Sequence, residues 1–266
     1  MQGRTEYHEK YARVAAELNE AGYDVLAVEW RGQGLSDRLI ANPHLSHVAK
    51  FSDYQRDVVE LVVAAQEMNL PRPWHLLAHS MGGTIGLAAL GAGLPVASAV
   101  FSAPMWGINL TRPVMALAMT LSRSARKLGR GATNVPGSGG NRSFILASSF
   151  DENLLTTSPI CWGRLVAEAG EWPALALGGV THDWLHTSLT ECRNLAQMPS
   201  PELPVLIAVG SREGVVSSQA IRQRADNWAS ANLLELVGAK HEPMMEQPKM
   251  RDQFMQAMLG HFVATS

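Results

Sequence analysis

Ser80 stands at the centre of the chain's clearest chemical motif, Ala78-His79-Ser80-Met81-Gly82-Gly83. A short apolar run, Trp74 to Ala78, precedes it, and small and apolar residues, Thr84 to Leu90, follow. The pattern predicts a strand, a sharp turn and a helix, with a serine at the apex. This is the form of a nucleophile elbow, usually Gly-x-Ser-x-Gly. Small residues are needed two before and two after the serine, because the strained backbone packs closely there. Ala78 replaces the first glycine and Gly82 keeps the second. By itself the segment also reads as an ordinary glycine-rich turn between a strand and a helix.

A serine hydroxyl is a poor nucleophile until a base takes its proton, and the base needs an acid to orient it. After an elbow, the acid and then the histidine follow in chain order. Of nine histidines, His182, His186, His241 and His261 lie well downstream of Ser80. His241 sits in Gly238-Ala239-Lys240-His241-Glu242-Pro243, expected to be a loop after the last strand. His182 and His186 fall in a presumed insertion, and His261 in the terminal helix. Glu213 is the one carboxylate in Gly210 to Val216, the loop after a core strand, and is the expected acid. Asp226, inside the following helix, is the weaker candidate. Two backbone N–H groups must also face the developing oxyanion. Met81, directly after the nucleophile, supplies one. Arg4, in the Gln2-Gly3-Arg4 segment before the first helix, is chosen for the other.

The elements that must position these groups follow from periodicity. Residues 6 to 21 predict an amphipathic helix ended by Gly22. Tyr23 to Trp30 predicts a strand buried on both faces. Residues 52 to 69 predict a helix capped by Ser52. Trp74 to His79, Val96 to Ser102, Pro204 to Gly210 and Leu233 to Val237 predict further strands, with helices near 217–230 and 248–263. Strands alternating with helices indicate an α/β fold with a mostly parallel sheet and helices on both faces.

The rhythm breaks between residues 104 and 198. That stretch holds four tryptophans (Trp106, Trp162, Trp172, Trp184), several methionines near its start, and a tract from Gly129 to Asn141 with five glycines. The tract is expected to be mobile. The organisation read from this is one domain, with a core at 1–103 and 199–266 and a helical cap or lid inserted at 104–198. The cap's Trp and Met residues suit either an apolar acyl pocket or the cap's own core.

The 266 residues carry a net charge of −2, and no stripe of Lys and Arg interleaved with aromatics marks a nucleic-acid partner. Arg123 to Arg130, the densest basic stretch, reads as a solvated helix face. No apolar run reaches the ~18 residues of a membrane span, and the polar N-terminus lacks the apolar core of a signal peptide. Two cysteines, Cys161 and Cys192, form neither a disulfide framework nor a zinc site. The expected location is the cytoplasm, with peripheral contact at the inner face of the membrane.

Together these residues resemble the α/β-hydrolase superfamily, and within it the monoacylglycerol lipase and bacterial lysophospholipase group, also labelled serine aminopeptidase-like. Gln2 to Tyr11 resembles the oxyanion loop and its helix. Glu29 to Ser36 resembles the family's Asp-x-Arg-Gly-x-Gly-x-Ser loop. The elbow, Gly210 to Val216 and His241 complete the match, which spans residues 2 to about 260. Three departures stand out. Gln2 replaces a frequent His. Glu213 replaces the usual Asp and, one methylene longer, requires its loop to sit slightly further from His241. The hairpin and strand that the family places before the oxyanion loop are missing. Their loss should leave a central gap between Tyr23–Trp30 and the elbow strand, and the expectation is that residue 1 is not the natural start.

The resemblance implies a serine hydrolase cleaving carboxylic esters with an apolar acyl chain, a lysolipid or another small-molecule ester. No metal or organic cofactor is expected, and the cap would make transient contact with a membrane surface. The sequence gives no oligomeric state. The competing reading is a catalytically silent hydrolase-fold protein used for binding or as a scaffold. A dinucleotide-binding domain fails, because Gly32-Gln33-Gly34 lacks a third glycine and a following helix.

Overall fold

Four apolar runs form one parallel sheet in the computed structural model, which describes residues 1–266. The strands are β1 (His75–His79), β2 (Ser98–Ser102), β3 (Val205–Gly210) and β4 (Ala231–Leu236), hydrogen-bonded in that order. Leu77 pairs with Val100, and Val100 with Leu206. Strand side chains alternate between two faces, and each face carries its own core. Leu76, Ala78, Ala99, Phe101, Val205, Ile207 and Val209 join one cluster. Val100, Leu206, Ala208 and Leu236 join the other. β3 is buried along its whole length, which explains why it reads as a continuous apolar run.

Helices cover both faces. α1 (Ala12–Glu20) and, at the C-terminus, α9 (Pro248–Ala264) bring Val14, Leu18, Phe254, Met258 and Phe262 to one side. α2 (Tyr54–Glu67), α3 (Met81–Gly91) and α8 (Ser218–Asp226) cover the other, through Val58, Ile85, Leu87 and Ile221. The first predicted helix begins instead as a 3₁₀ turn, His8–Tyr11, and becomes α-helical at Ala12. It ends at Gly22 in a Schellman arrangement: the Gly22 N–H donates to Asn19 O and the Tyr23 N–H to Leu18 O.

Between β2 and β3 lie α4 (Arg112–Lys127), α5 (Phe144–Ala147), α6 (Pro159–Glu171) and α7 (His182–Gln197). Trp184, Leu185 and Leu189 of α7 belong to the same core cluster as β1 to β3. Trp106, Trp162 and Trp184 are buried, and Trp106 packs edge-on against Phe101 and tilted against Trp228. These rings pack the interior, and Trp172 alone of the four is exposed. No helix is long and apolar enough to cross a membrane.

Three expectations are corrected. Tyr23 to Trp30 forms no strand. A strand needs a neighbour for its backbone groups, and none lies beside it. The outer edge of β1 is met only by Met1, whose amine donates to Leu77 O at 2.7 Å and whose carbonyl accepts from the His79 N–H at 3.0 Å. The rest of the gap is a cavity of about 540 Å³, lined by Leu26 and Ala27 on one side and Leu76 and Leu77 on the other. Trp30 is nevertheless fully buried, its indole N–H on Gln2 O at 2.8 Å.

Ser52 does not cap α2. A 3₁₀ turn, Phe51–Asp53, already carries the chain into the helix, and Asp53 has helical backbone angles. The Gly129–Asn141 tract is not loose. Val135 N–H bonds Val180 O, Gly179 N–H bonds Gly140 O, and His182 N–H bonds Thr133 O. Gly178 permits this contact, because a Cβ there would sit 2.2 Å from Gly140 O. Gly178→Ala should therefore lower stability by about 1–3 kcal/mol, as overpacking does elsewhere. At this chain length that is a fall of roughly 2–10 °C in Tm. A melting curve unchanged from wild type would mean that the tract yields freely.

Candidate active site

The turn after β1 puts Ser80 in a backbone conformation that non-glycine residues rarely adopt, φ 50° and ψ −119°. Such a residue costs on the order of 1–3 kcal/mol and persists only where its surroundings hold it. Here the Ser80 N–H donates to Ser102 O at 3.1 Å, and Ser80 O accepts from the Gly83 and Met105 N–H groups at 2.9 Å each. Gly82 must be glycine, because the Met1 and Gln2 carbonyl oxygens pass 2.4 and 2.6 Å from where its Cβ would lie. Ala78 is tolerated at the position where glycine is usual. Its methyl faces Gly86, which presents no side chain of its own.

His241 lies in the loop after β4, and that loop crosses the end of β3. A Cβ on Gly210 would meet Ala239 O and Lys240 O at 2.3 Å, so a bare backbone at Gly210 admits the loop. His241 Nε2 sits 3.0 Å from Ser80 Oγ, and His241 Nδ1 sits 2.8 Å from Glu213 Oε2. The other carboxylate oxygen of Glu213 accepts the Val215 and Val216 N–H groups at 2.7 and 3.1 Å. Burial pushes the Glu213 carboxyl up. The adjacent His241 and these two N–H donors more than offset that, leaving it below the usual carboxylate range. The extra methylene of Glu213 is thus accommodated within the loop.

The other sequence candidates lie elsewhere. His182 Nδ1 is 3.3 Å from Ser122 Oγ, and His186 is also on α7. His261 is on α9, and Asp226 ends α8.

Met81 opens α3, so its N–H points out of the first helical turn. Arg4 lies in the loop that passes over Gly82, and its backbone N–H has no partner in the chain. Its neighbours on either side are engaged: Gly3 N–H on the Glu6 carboxylate, Thr5 N–H on Gln33 Oε1. The Arg4 guanidinium bonds Ser46 Oγ at 3.0 Å and Gly178 O at 3.1 Å, which anchors the loop. The Glu29–Ser36 motif braces the same region. Gln33 holds Thr5, Glu29 accepts the His8 and Leu35 N–H groups, and Arg31 forms a bidentate pair with Asp57.

Sequence reasoning missed four buried charged residues beside this site: Glu6, Lys10, His79 and Glu242. The available signal was adjacency, since His79 precedes Ser80 and Glu242 follows His241. Glu6, His79 and Glu242 present ligand atoms within 4.8 Å of one another, a spacing that suits a metal ion. Lys10 Nζ takes the cation's place, at 2.5 Å from Glu6 and 2.6 Å from Glu242. The 540 Å³ cavity is a separate feature: His79 reaches it, but Ser80 and His241 do not line it.

Comparison with known proteins fits this geometry. Residues 1–248 match the family described as serine aminopeptidase, S33. Lysophospholipase L2 of Escherichia coli K12 is 33% identical over 280 residues, covering 98% of this chain and 78% of that protein. The probable lysophospholipase L2 of Haemophilus influenzae is 30% identical over 264 residues, covering 98% and 81%. Among solved structures, the Paleococcus ferrophilus monoacylglycerol lipase superposes with a TM-score of 0.75 at 20% identity, covering 100% of this chain and 93% of that one. A soluble variant of the Saccharomyces cerevisiae monoglyceride lipase gives 0.73 at 16%, covering 100% and 86%. The chain has the α/β-hydrolase fold and belongs to the serine aminopeptidase, S33, family.

Proposed function

We propose that this protein is a serine hydrolase of carboxylic esters with an apolar acyl chain, and that lysophospholipids or monoacylglycerols are its substrate class. The observation that carries the reading is the unbroken hydrogen-bonded line from Ser80 through His241 to Glu213. Ser80 Oγ attacks the ester carbonyl while His241 Nε2 takes its proton. Glu213 holds the imidazole through Nδ1 and stabilises the imidazolium. The carbonyl oxygen becomes an oxyanion, received by the Arg4 and Met81 N–H groups. Collapse of the tetrahedral intermediate expels the alcohol, protonated by His241, and leaves an acyl-Ser80. Water, deprotonated by His241, then releases the fatty acid and restores Ser80.

The substrate class is supported by the names of the relatives and by the insertion. α4 exposes Val114, Leu117 and Leu121 on one face, with Arg123 and Lys127 towards its end. Such a face suits transient contact with lipid at the cap. The relatives' names and the apolar α4 face favour lipid esters over aminoacyl amides, although the family description includes peptidases.

The test is hydrolysis of a lysophosphatidylcholine, a monoacylglycerol and an aminoacyl anilide by the purified chain. Acyl release from a lipid ester, lost by a factor on the order of 10⁶ in Ser80→Ala and His241→Ala, is expected. Cleavage of the anilide alone would overturn the substrate class, and no turnover of any of the three would favour a binding role. Glu213→Gln should cost less, about 10⁴ in kcat. An unchanged rate would move the acid to another carboxylate.

Glu213 also makes a prediction about pH. Its carboxyl is lower in the folded than in the unfolded chain, so its stabilising contribution is present above the ordinary carboxylate range. That contribution is lost as pH falls through the lowered value. The gap in Tm between wild type and Glu213→Gln should therefore be wide at pH 7 and narrow on acidification. A gap independent of pH would contradict the charged pairing.

A further inference from the structure

His79 is buried to 1% exposure, one residue before Ser80, and its ring centroid lies 4.9 Å from that of His241. Its two nitrogens face different partners. Nδ1 is 3.3 Å from the Ser102 hydroxyl and 2.9 Å from Ser102 O; the shorter contact is to a carbonyl that can only accept, so Nδ1 carries a proton. Nε2 makes no hydrogen bond and faces two carboxylate oxygens, Glu242 Oε2 at 3.4 Å and Glu6 Oε1 at 3.6 Å. A lone pair on Nε2 would point at two negative groups. Both nitrogens therefore hold protons. With Lys10 as an ammonium and both glutamates ionised, the four buried residues sum to zero charge.

The same residues join three separate segments. Glu6 accepts the Gly3 N–H and, at 2.6 Å, the Tyr11 hydroxyl, and so shapes the loop that carries Arg4. Lys10 bonds Glu6 and Glu242 together. Glu242 directly follows His241, and its N–H donates to Leu155 O of the insertion at 2.9 Å. We infer that Glu6, Lys10, His79 and Glu242 form a charge-balanced latch, with His79 held as an imidazolium, that positions His241 and the Arg4 loop against Ser80. His79 and Glu242 are positioning residues, acting through their neighbours in sequence. The inference deepens the proposed ester hydrolysis and rests on that reading for its catalytic consequence.

Electrostatics agrees with the geometry. Burial pushes His79 down, but Glu242 and Glu6 outweigh it and leave its pKa raised. Burial likewise opposes ionisation of Glu242, yet Lys10 and His79 hold it well below the usual carboxylate range. A raised histidine gives its stabilisation fully below the ordinary histidine range and loses it as pH rises through the raised value. The charged and titratable groups around His79 are Glu6, Lys10, His241 and Glu242. Tyr11 lies on Glu6, and the Met1 amine lies on Leu77 O.

Because several of these groups can titrate, the test reads His79 itself. Long-range ¹H–¹⁵N spectra of the full chain, labelled at histidine nitrogen and assigned with His79→Gln, should show both ring nitrogens protonated at pH 7.5. A neutral His79 ring at that pH overturns the latch, whatever the activity. Kinetics then test positioning. Glu242→Gln should lower kcat about 10- to 100-fold, the scale of a misplaced catalytic group, with KM changed less than about threefold. The charge-balanced Lys10→Met/Glu242→Gln variant should melt closer to wild type yet keep the kcat defect. Recovery of wild-type kcat in that variant would show a merely structural role and overturn the inference. Should neither variant fold, the wild-type spectra still decide. Should the wild type hydrolyse no ester, the proposed function fails and the spectra still judge the latch.

Discussion

The 3.0 Å contact between His241 Nε2 and Ser80 Oγ joins residues 161 positions apart, and much of the surrounding structure holds its two ends. Ser80 is held by a strained turn fastened by β2, by the loop after it and by the first turn of α3. His241 is held by a loop that can cross β3 only because Gly210 has no side chain. A parallel sheet delivers both to its C-terminal end, since the strands β1, β3 and β4 all finish there. The helices around the sheet supply burial; the groups proposed to react sit on the turns at the strand ends.

Holding that contact brings charge into the interior. Glu6, Lys10, His79, Glu213 and Glu242 have side chains no more than 7% exposed. Buried ions are costly to desolvate, and removing one partner of such a pair costs about 3–5 kcal/mol. Total stability is typically only ~5–15 kcal/mol. The balance of Lys10 and His79 against Glu6 and Glu242 therefore bears on stability as well as bracing the site. It also makes the Arg4 loop, the elbow and the His241 loop one electrostatic unit, although the sequence keeps them far apart.

What could be read from the sequence follows the range of the signal. The elbow around Ser80, the strands β1 to β4 and the loops bearing Glu213 and His241 announce themselves through local apolar runs and turn residues. Their assembly into this family's fold is borne out. Tyr23–Trp30 carries the same local signal and forms no strand, because pairing depends on a neighbour no local pattern can supply. The Gly129–Asn141 tract reads as loose because glycine marks flexibility locally. Here backbone hydrogen bonds to a segment some forty residues later hold it. The pair Lys10–Glu242, separated by 232 positions, leaves no trace beyond the charge of Glu242 beside His241.

The central claim is that Ser80 is an activated nucleophile, and covalent labelling tests it without knowledge of the substrate. Intact-mass analysis after treatment with a fluorophosphonate should show a single adduct that maps to Ser80 and vanishes in Ser80→Ala. A folded wild-type chain that stays unlabelled, or an adduct that persists in Ser80→Ala, would contradict the account.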